Sequence, residues 1–312
     1  MENSKIIQRL KPVLEKNYPL ESRDIIWDAC MANSIQIEMN EENLENMCGT
    51  LLVYGFGGGG GQKEIVKLAK ALGIAGITNP ENDAHLGYAF MPKVNVNDLT
   101  SDEILDKIQT KLPFEINIPP FSGNCKQGSV TKYGEVTNRH LHYLWVLKRI
   151  MELCPDKNSS IIEIGPGFGI LGYYLDRVGY FDYTVIDLAR TNACQTYFLF
   201  KNLPDRNIIL SGDVENPFDL QYKDSIKILH STDFKEIPKD RFTIMVNLDG
   251  LTEFGIEEAT KYVQHDCSPM LLSINHEVNE FRVWDIAQPY RKLEYRYPFW
   301  LRDGYVEELY KR

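Results

Sequence analysis

Three features of the sequence predict an α/β fold with a mainly parallel sheet. An apolar run, Ser159-Ser160-Ile161-Ile162-Glu163-Ile164, ends in the glycine turn Gly165-Pro166-Gly167-Phe168-Gly169. A helical segment follows, and a second apolar run ends at Asp187. From there onward strand-like and helix-like segments alternate, as they do in βαβ units whose strands are covered on both faces.

In order, the helix after the glycine turn is expected over about 169–178, stopped by Gly179, and the next over about 190–202, stopped near Pro204. Strands are expected at Phe242-Leu248 and Met270-Asn275, with either Ile208-Leu210 or Ile226-His230 as the third sheet strand. The tail reads as a hairpin: Lys292-Trp300, a turn at Arg302-Asp303-Gly304, then Tyr305-Tyr310. Upstream, Thr137-Leu153 is an amphipathic helix with Leu144, Leu147 and Met151 on one face and His140 and His142 on the solvated one.

Residues 1–136 form a mixed or mostly helical extension, and 137–312 form the sheet domain. Helices are expected over 6–37, broken at Pro12 and Pro19, over 40–52 through an asparagine cap, and over 62–72. Five glycines, Gly57 to Gly61, precede the last of these. Such a run reads first as a flexible or tightly packed turn; a phosphate cradle is the alternative, although the lysine and hydroxyl residue of a P-loop are missing.

An apolar strand running into glycines, then a helix, then a strand ending in an acid about 20 residues on, is a nucleoside half-site: the carboxylate receives the ribose diol. Gly167-Phe168-Gly169-Ile170-Leu171-Gly172 also matches G-x-G-x-x-G, so a dinucleotide such as NAD is the rival ligand. The acidic Glu163 two residues before Gly165, joined to Gly-Pro-Gly-Phe-Gly, resembles motif I of the class I S-adenosylmethionine-dependent methyltransferases. That resemblance implies a Rossmann-like fold, with Glu163 near the methionine end of the cofactor, Gly165 to Gly169 beneath its sugar and Asp187 on the ribose, next to Leu188. It further implies an adenine contact from Asp213, with Ser231 and Thr232 as alternatives, and a strand-four contribution from Asn247. A terminal antiparallel hairpin suits that fold, whereas an NAD enzyme would continue with a second βαβ half.

Across about 113–312, Gly128-Ser129-Val130, His140-Leu141-His142-Tyr143, Glu163 to Gly169, Thr184 to Ala189, Asn247 to Glu253 and Ser273 to Glu277 are similar to a family of bacterial sugar O-methyltransferases. Ala189-Arg190 and Phe254 stand where that family has a Pro and a Met. The resemblance implies a sugar or glycoside acceptor. The remaining readings are an NAD-dependent oxidoreductase and a cofactor-binding protein without turnover.

Composition is compatible with these readings. The 312 residues are 43% hydrophobic and 25% charged, ordinary for a globular chain. A net charge of −10 argues against a nucleic-acid partner held by phosphate contacts. Six cysteines without a C-x-x-C pair read as reduced thiols. Neither a signal peptide nor a membrane-length apolar run is evident, so the cytoplasm is expected. A homo-oligomer is left open.

Methylating a sugar hydroxyl calls for alignment with the donor and a base or metal to take the proton. Candidates come from the carboxyl ends of the strands, where open α/β sheets bind ligands. These are Asn247, Asp249 and Glu253 after strand four, and Asn275, His276 and Glu277 after strand five. His276 is the expected base, since a histidine is largely neutral at pH 7. Asp249 and Glu253 would orient the acceptor. A divalent ion is possible chemically, but no ligand set indicates one.

Overall fold

The computed structural model describes residues 8–9, 40–45, 60–74, 77–78, 94–95, 99–120 and 128–312. Apart from 8–9, the helix expected over 6–37 lies outside the described residues, as do residues 46–52 and Gly57 to Gly59.

The described part of the extension comprises helices α1 (Glu41–Glu45), α2 (Gln62–Ala71) and α3 (Ser101–Gln109), and the short strands β1 (Ile77–Thr78) and β2 (Val94–Asn95). The Asn40 side chain accepts from Asn43 N at 2.9 Å, satisfying one of the orphan donors of α1. Thr100 and Glu103 cap α3 reciprocally. A Cβ on Gly60 would lie 2.5 Å from Val136 O, so this end of the glycine run lets two backbones touch.

Next come the hairpin β3 (Ser129–Thr131) and β4 (Gly134–Val136), then α4 (Asn138–Leu153). The expected boundary at 136/137 lies between β4 and α4, yet Leu68, Ile104 and Leu144 belong to one buried cluster that continues into the sheet. His140 and His142 depart from the expected solvated face: both are buried. His140 is buried because it serves as a cap, its Nδ1 accepting from Thr137 N at 3.2 Å. His142 packs edge-on against Phe299, 5.3 Å between ring centres. Burial drives both imidazole pKa values down to about 3, so both are neutral.

The sheet is built from β5 (Ile161–Ile164), β6 (Tyr183–Asp187), β7 (Ile208–Leu210), β8 (Ile226–His230), β9 (Ile244–Leu248), β10 (Met270–His276), β11 (Lys292–Pro298) and β12 (Tyr305–Lys311). Helices α5 (Ile170–Arg177), α6 (Ala189–Asn202), α7 (Ile256–Gln264) and α8 (Val283–Ala287) connect them. The order is β11-β12-β10-β9-β5-β6-β8-β7, all parallel except for β12, which pairs antiparallel with both β10 and β11. This is a Rossmann-like α/β sheet closed by an antiparallel C-terminal hairpin.

Both candidates for the third strand are in the sheet. β8 takes the place beside β6, and β7 is the outer edge, where Arg9 donates to Ile208 O at 2.5 Å. All four residues of β5 are buried, as expected for a central parallel strand covered on both faces. The chain runs outward from β5 to β6 and on to the edge strand β7, comes back to β8 between β6 and β7, then crosses to β9 on the other side of β5. That reversal opens a crevice at the carboxyl ends of β5 and β9.

Among the described residues, no helix is long and apolar enough to cross a membrane. Cys154, Cys194 and Cys267 are buried free thiols.

Candidate functional site

The glycine turn between β5 and α5 lies at that crevice. Gly165, Gly167 and Gly169 have φ of +62°, +65° and +81°, a region that side-chain-bearing residues enter only with strain. A Cβ on Gly165 would come 3.2 Å from the Phe254 ring. Gly172, one turn into α5, sits so near β6 that a Cβ would be 2.7 Å from the Tyr183 ring. Phe168 turns into the core, 4.8 Å from Phe198, so only its backbone takes part in the turn. Pro166 O accepts from the Tyr143 hydroxyl at 2.9 Å, which ties α4 to the turn.

Asp187 faces this turn from the end of β6. Its Oδ2 accepts from Gly167 N at 3.3 Å and Gln195 Nε2 at 3.0 Å, and its Oδ1 from Leu188 N at 2.7 Å. Burial outweighs these bonds and pushes its pKa up to about 7. Leu188 is half-buried and precedes α6 as its N-cap.

Glu163 is fully buried in the middle of the sheet. Tyr183 OH donates to its Oε2 and the Tyr143 hydroxyl also lies against the carboxyl, while Oε1 meets no donor in hydrogen-bonding geometry among the described residues. Burial raises its pKa to about 8, with the nearby Asp187 charge adding to the effect, so near neutrality the group is largely a protonated donor. Past β6, at the end of β8, Ser231 Oγ is another buried oxygen without a partner among the described residues.

Asn247 is engaged structurally. Its Nδ2 donates to Ile164 O at 2.7 Å, and its Oδ1 accepts from Leu251 N at 3.0 Å and Asn275 Nδ2 at 2.8 Å. It fastens β9 to β5 and β10. Asp213 follows the outer strand β7, where it pairs with Arg9 at 2.6 Å and accepts from Leu210 N at 2.8 Å. Ser231 and Thr232 instead follow β8, beside β6.

The acceptor-side candidates converge around Asp249. This residue has φ of +63° and a side chain 5% exposed. Its Oδ2 meets Arg139 at 3.1 Å and also Arg302, and its Oδ1 accepts from Tyr305 OH. So engaged, the carboxylate holds α4, β9 and the β11–β12 turn together. Tyr305 in turn lies 4.9 Å from the His276 ring, and its hydroxyl is held well above its ordinary pKa, first by burial, then by Asp249, and to a smaller extent by Glu253. Glu277 lies outward, paired with Arg296.

His276 has a defined tautomer. Asn279 Nδ2 donates to Thr252 O at 3.1 Å and Thr252 Oγ1 at 2.9 Å, which leaves Asn279 Oδ1 as acceptor, 3.3 Å from His276 Nδ1. The proton therefore sits on Nδ1 and Nε2 is the basic nitrogen. A Cβ on Gly304 would lie 3.0 Å from Nε2; the glycine keeps that approach clear.

Arg139, Tyr143, Tyr305 and Arg302 escaped sequence reasoning. Arg139 carried a usable signal: a cation in the first turn of a helix opposes the dipole and calls for an acidic partner. Among the described residues, no group of three or more His, Cys, Asp or Glu side chains could hold a metal ion.

No family model and no curated protein matches the sequence. Solved structures do. A SAM-dependent methyltransferase from Aquifex aeolicus is similar over 53% of this chain and 87% of its own, with 15% identity and a TM-score of 0.38. A protein from Pyrococcus horikoshii OT3 is similar over 55% and 88%, with 10% identity and a TM-score of 0.41. Geranyl diphosphate C-methyltransferase from Streptomyces coelicolor A3(2), in complex with Mg2+, geranyl diphosphate and S-adenosyl-L-homocysteine, is similar over 55% and 81%, with 9% identity and a TM-score of 0.40.

Proposed function

We propose that the protein is an S-adenosylmethionine-dependent methyltransferase acting on a hydroxyl oxygen of a sugar or glycoside. The observation that carries the cofactor reading is Asp187 facing the backbone of Gly167 at the topological switch point. A half-buried carboxylate suits a ribose diol. The residues fit such a group in two further respects: Glu163 Oε1 on β5 and Ser231 Oγ after β8, on either side of β6, are buried oxygens that accept or donate no hydrogen bond among the described residues, and the three glycines have backbone conformations that favour glycine. Glu163, the glycine turn, Asp187 and Leu188 would hold the cofactor. When bound, it supplies an activated methyl group on a sulfonium.

The chain's own residues then have to bind the acceptor, align it and take its proton. His276 is the proposed base, because Nε2 is the unprotonated nitrogen and Gly304 keeps the approach to it clear. Asp249, already held by two arginines and Tyr305, is proposed to position the acceptor side rather than to act as base. Glu253 is proposed to orient the acceptor hydroxyl. The hairpin on β10 supports methyl transfer over the NAD reading, since antiparallel β12 occupies the place beside β10 where a further parallel strand of a second βαβ half would pair.

The test is transfer of labelled methyl from S-adenosylmethionine to a panel of monosaccharides, glycosides and nucleotide sugars. Label in a sugar product supports the proposal. Cofactor binding without label in any acceptor would favour a binding protein.

A further inference from the structure

The β11–β12 turn leads from Asp249 to a cleft of about 290 Å3 beside α4, lined by Trp145, Arg149, Tyr297, Trp300 and Glu307. Its polar side is braced by internal hydrogen bonds that leave two Arg149 N–H donors unused among the described residues. Glu307 accepts from Trp145 Nε1 at 2.6 Å, Arg149 Nε at 2.8 Å and Tyr295 OH at 2.9 Å, and Arg149 also donates to the Tyr295 hydroxyl at 2.7 Å. Tyr295 and Tyr297 project from the same face of β11 with rings stacked at 4.8 Å and 18°. The guanidinium of Arg149 covers Tyr295 at 5.2 Å. The aromatic platform is therefore locked in place before any ligand arrives, which lowers the ordering cost of binding.

Two large rings beside this assembly face water: Tyr297, stacked on Tyr295, is 54% exposed and Trp300 is 68% exposed. Trp300 lies in a turn closed by Arg302 N to Phe299 O at 3.0 Å and Phe299 N to Tyr305 O at 2.8 Å. Arg302, which bonds Asp249, is two residues further on, at most about 7 Å of backbone. One turn thus borders the cleft at Trp300 and reaches Asp249 through Arg302.

We propose that this cleft is a saccharide subsite, taking a ring of the acceptor remote from the hydroxyl that is methylated. A pyranose presents a C–H face and a hydroxyl rim. The face matches Tyr297 and Trp300, and the rim matches the Arg149–Glu307 pair; rigid aromatic anchors with polar tips suit amphipathic ligands. The choice of ligand rests on the methyltransferase reading, while the cleft itself does not.

The experiment is saturation-transfer NMR on the full-length protein with S-adenosylhomocysteine present, using cellobiose and maltose as probes, and phenol as an aryl control. Saturation is expected to reach the C–H protons of at least one disaccharide and to fall about tenfold in Trp300→Ala and in Tyr297→Ala. Both residues are exposed, so unchanged far-UV circular dichroism and unchanged S-adenosylhomocysteine affinity are expected in the variants. Absent transfer to both disaccharides, undiminished transfer in the variants, transfer to phenol alone, or a dimer that dissociates in the variants would each overturn the subsite. Disaccharide transfer that depends on Trp300 without any S-adenosylhomocysteine binding would sink the methyltransferase reading and leave the subsite standing.

Discussion

The Asp187 carboxylate accepts a hydrogen bond from the Gly167 backbone N–H at 3.3 Å, joining two points 20 residues apart on neighbouring strand ends. This contact brings the acid and the glycine turn onto one ligand-sized locus, and the first prediction follows from it. In Asp187→Ala, S-adenosylhomocysteine affinity should fall about 10- to 100-fold, since hydrogen bonds to a charged group contribute about 1.5 to 3 kcal/mol. The fold should persist. Calorimetric titration beside a thermal melt checks both halves, and unchanged affinity in a folded variant would remove Asp187 from the site.

Gly167→Val combines a left-handed φ of +65° with a β-branched side chain. The strain alone is about 1 to 2 kcal/mol, and the branched group adds to it within the turn. A lower melting temperature together with lost cofactor binding is expected. Normal binding by the variant would reduce the glycine turn to a packing device.

Two buried acids make stability depend on pH in a defined direction. Glu163 and Asp187 have folded pKa values pushed up to about 8 and about 7, above the ordinary carboxylate range. Between roughly pH 4 and pH 8 the folded state therefore holds more protons than the unfolded state. Stability contributed by these groups is fully present below the unfolded pKa values and is lost as pH rises through the folded ones. Glu163→Gln, which cannot ionise, should show a shallower decline over this window. Denaturant melts from pH 5 to 8.5 measure it, and parallel slopes for the two proteins would contradict the assignment.

Asp249 and Arg302 form an asymmetric pair. Removing the carboxylate in Asp249→Ala leaves two guanidiniums facing each other and should destabilise by about 3 kcal/mol, as breaking a buried pair does. Arg302, with its side chain 36% exposed, is worth less, and Arg302→Ala should lose about 1 kcal/mol or less. Urea midpoints of the two variants decide whether the losses differ as expected.

His276→Ala is expected to lower turnover about 100-fold or more, the lower range for a general base, with cofactor affinity within a few-fold of the parent. Glu253→Ala should act in the same direction. Once a sugar acceptor is in hand, single-turnover methyl transfer measures both, and parent-like rates would move the base to another residue.

The local part of this architecture was readable from residue order. β5, the glycine turn, α5 and β6 are contiguous, and their buried runs and glycines state their own geometry. The third strand was not, because Ile208–Leu210 and Ile226–His230 both read as strands and only the assembled sheet puts the second beside β6. His140 and His142 look like solvated letters in an amphipathic pattern, but one caps α4 and the other packs on Phe299, a contact from the far end of the chain. The acceptor side was least legible. Arg139 reaches Asp249 across 110 residues, and Arg302 reaches it across 53. Such contacts arise from the placement of α4 and the C-terminal hairpin against β9, which no local pattern encodes.

The glycine turn and Asp187 together define the proposed cofactor site. Side-by-side calorimetric titration of the full-length protein with S-adenosylhomocysteine and with NAD tests it most directly. Saturable binding of S-adenosylhomocysteine, lost in Asp187→Ala, and no comparable binding of NAD are expected. Tighter binding of NAD, or no binding of S-adenosylhomocysteine by the folded protein, would contradict it.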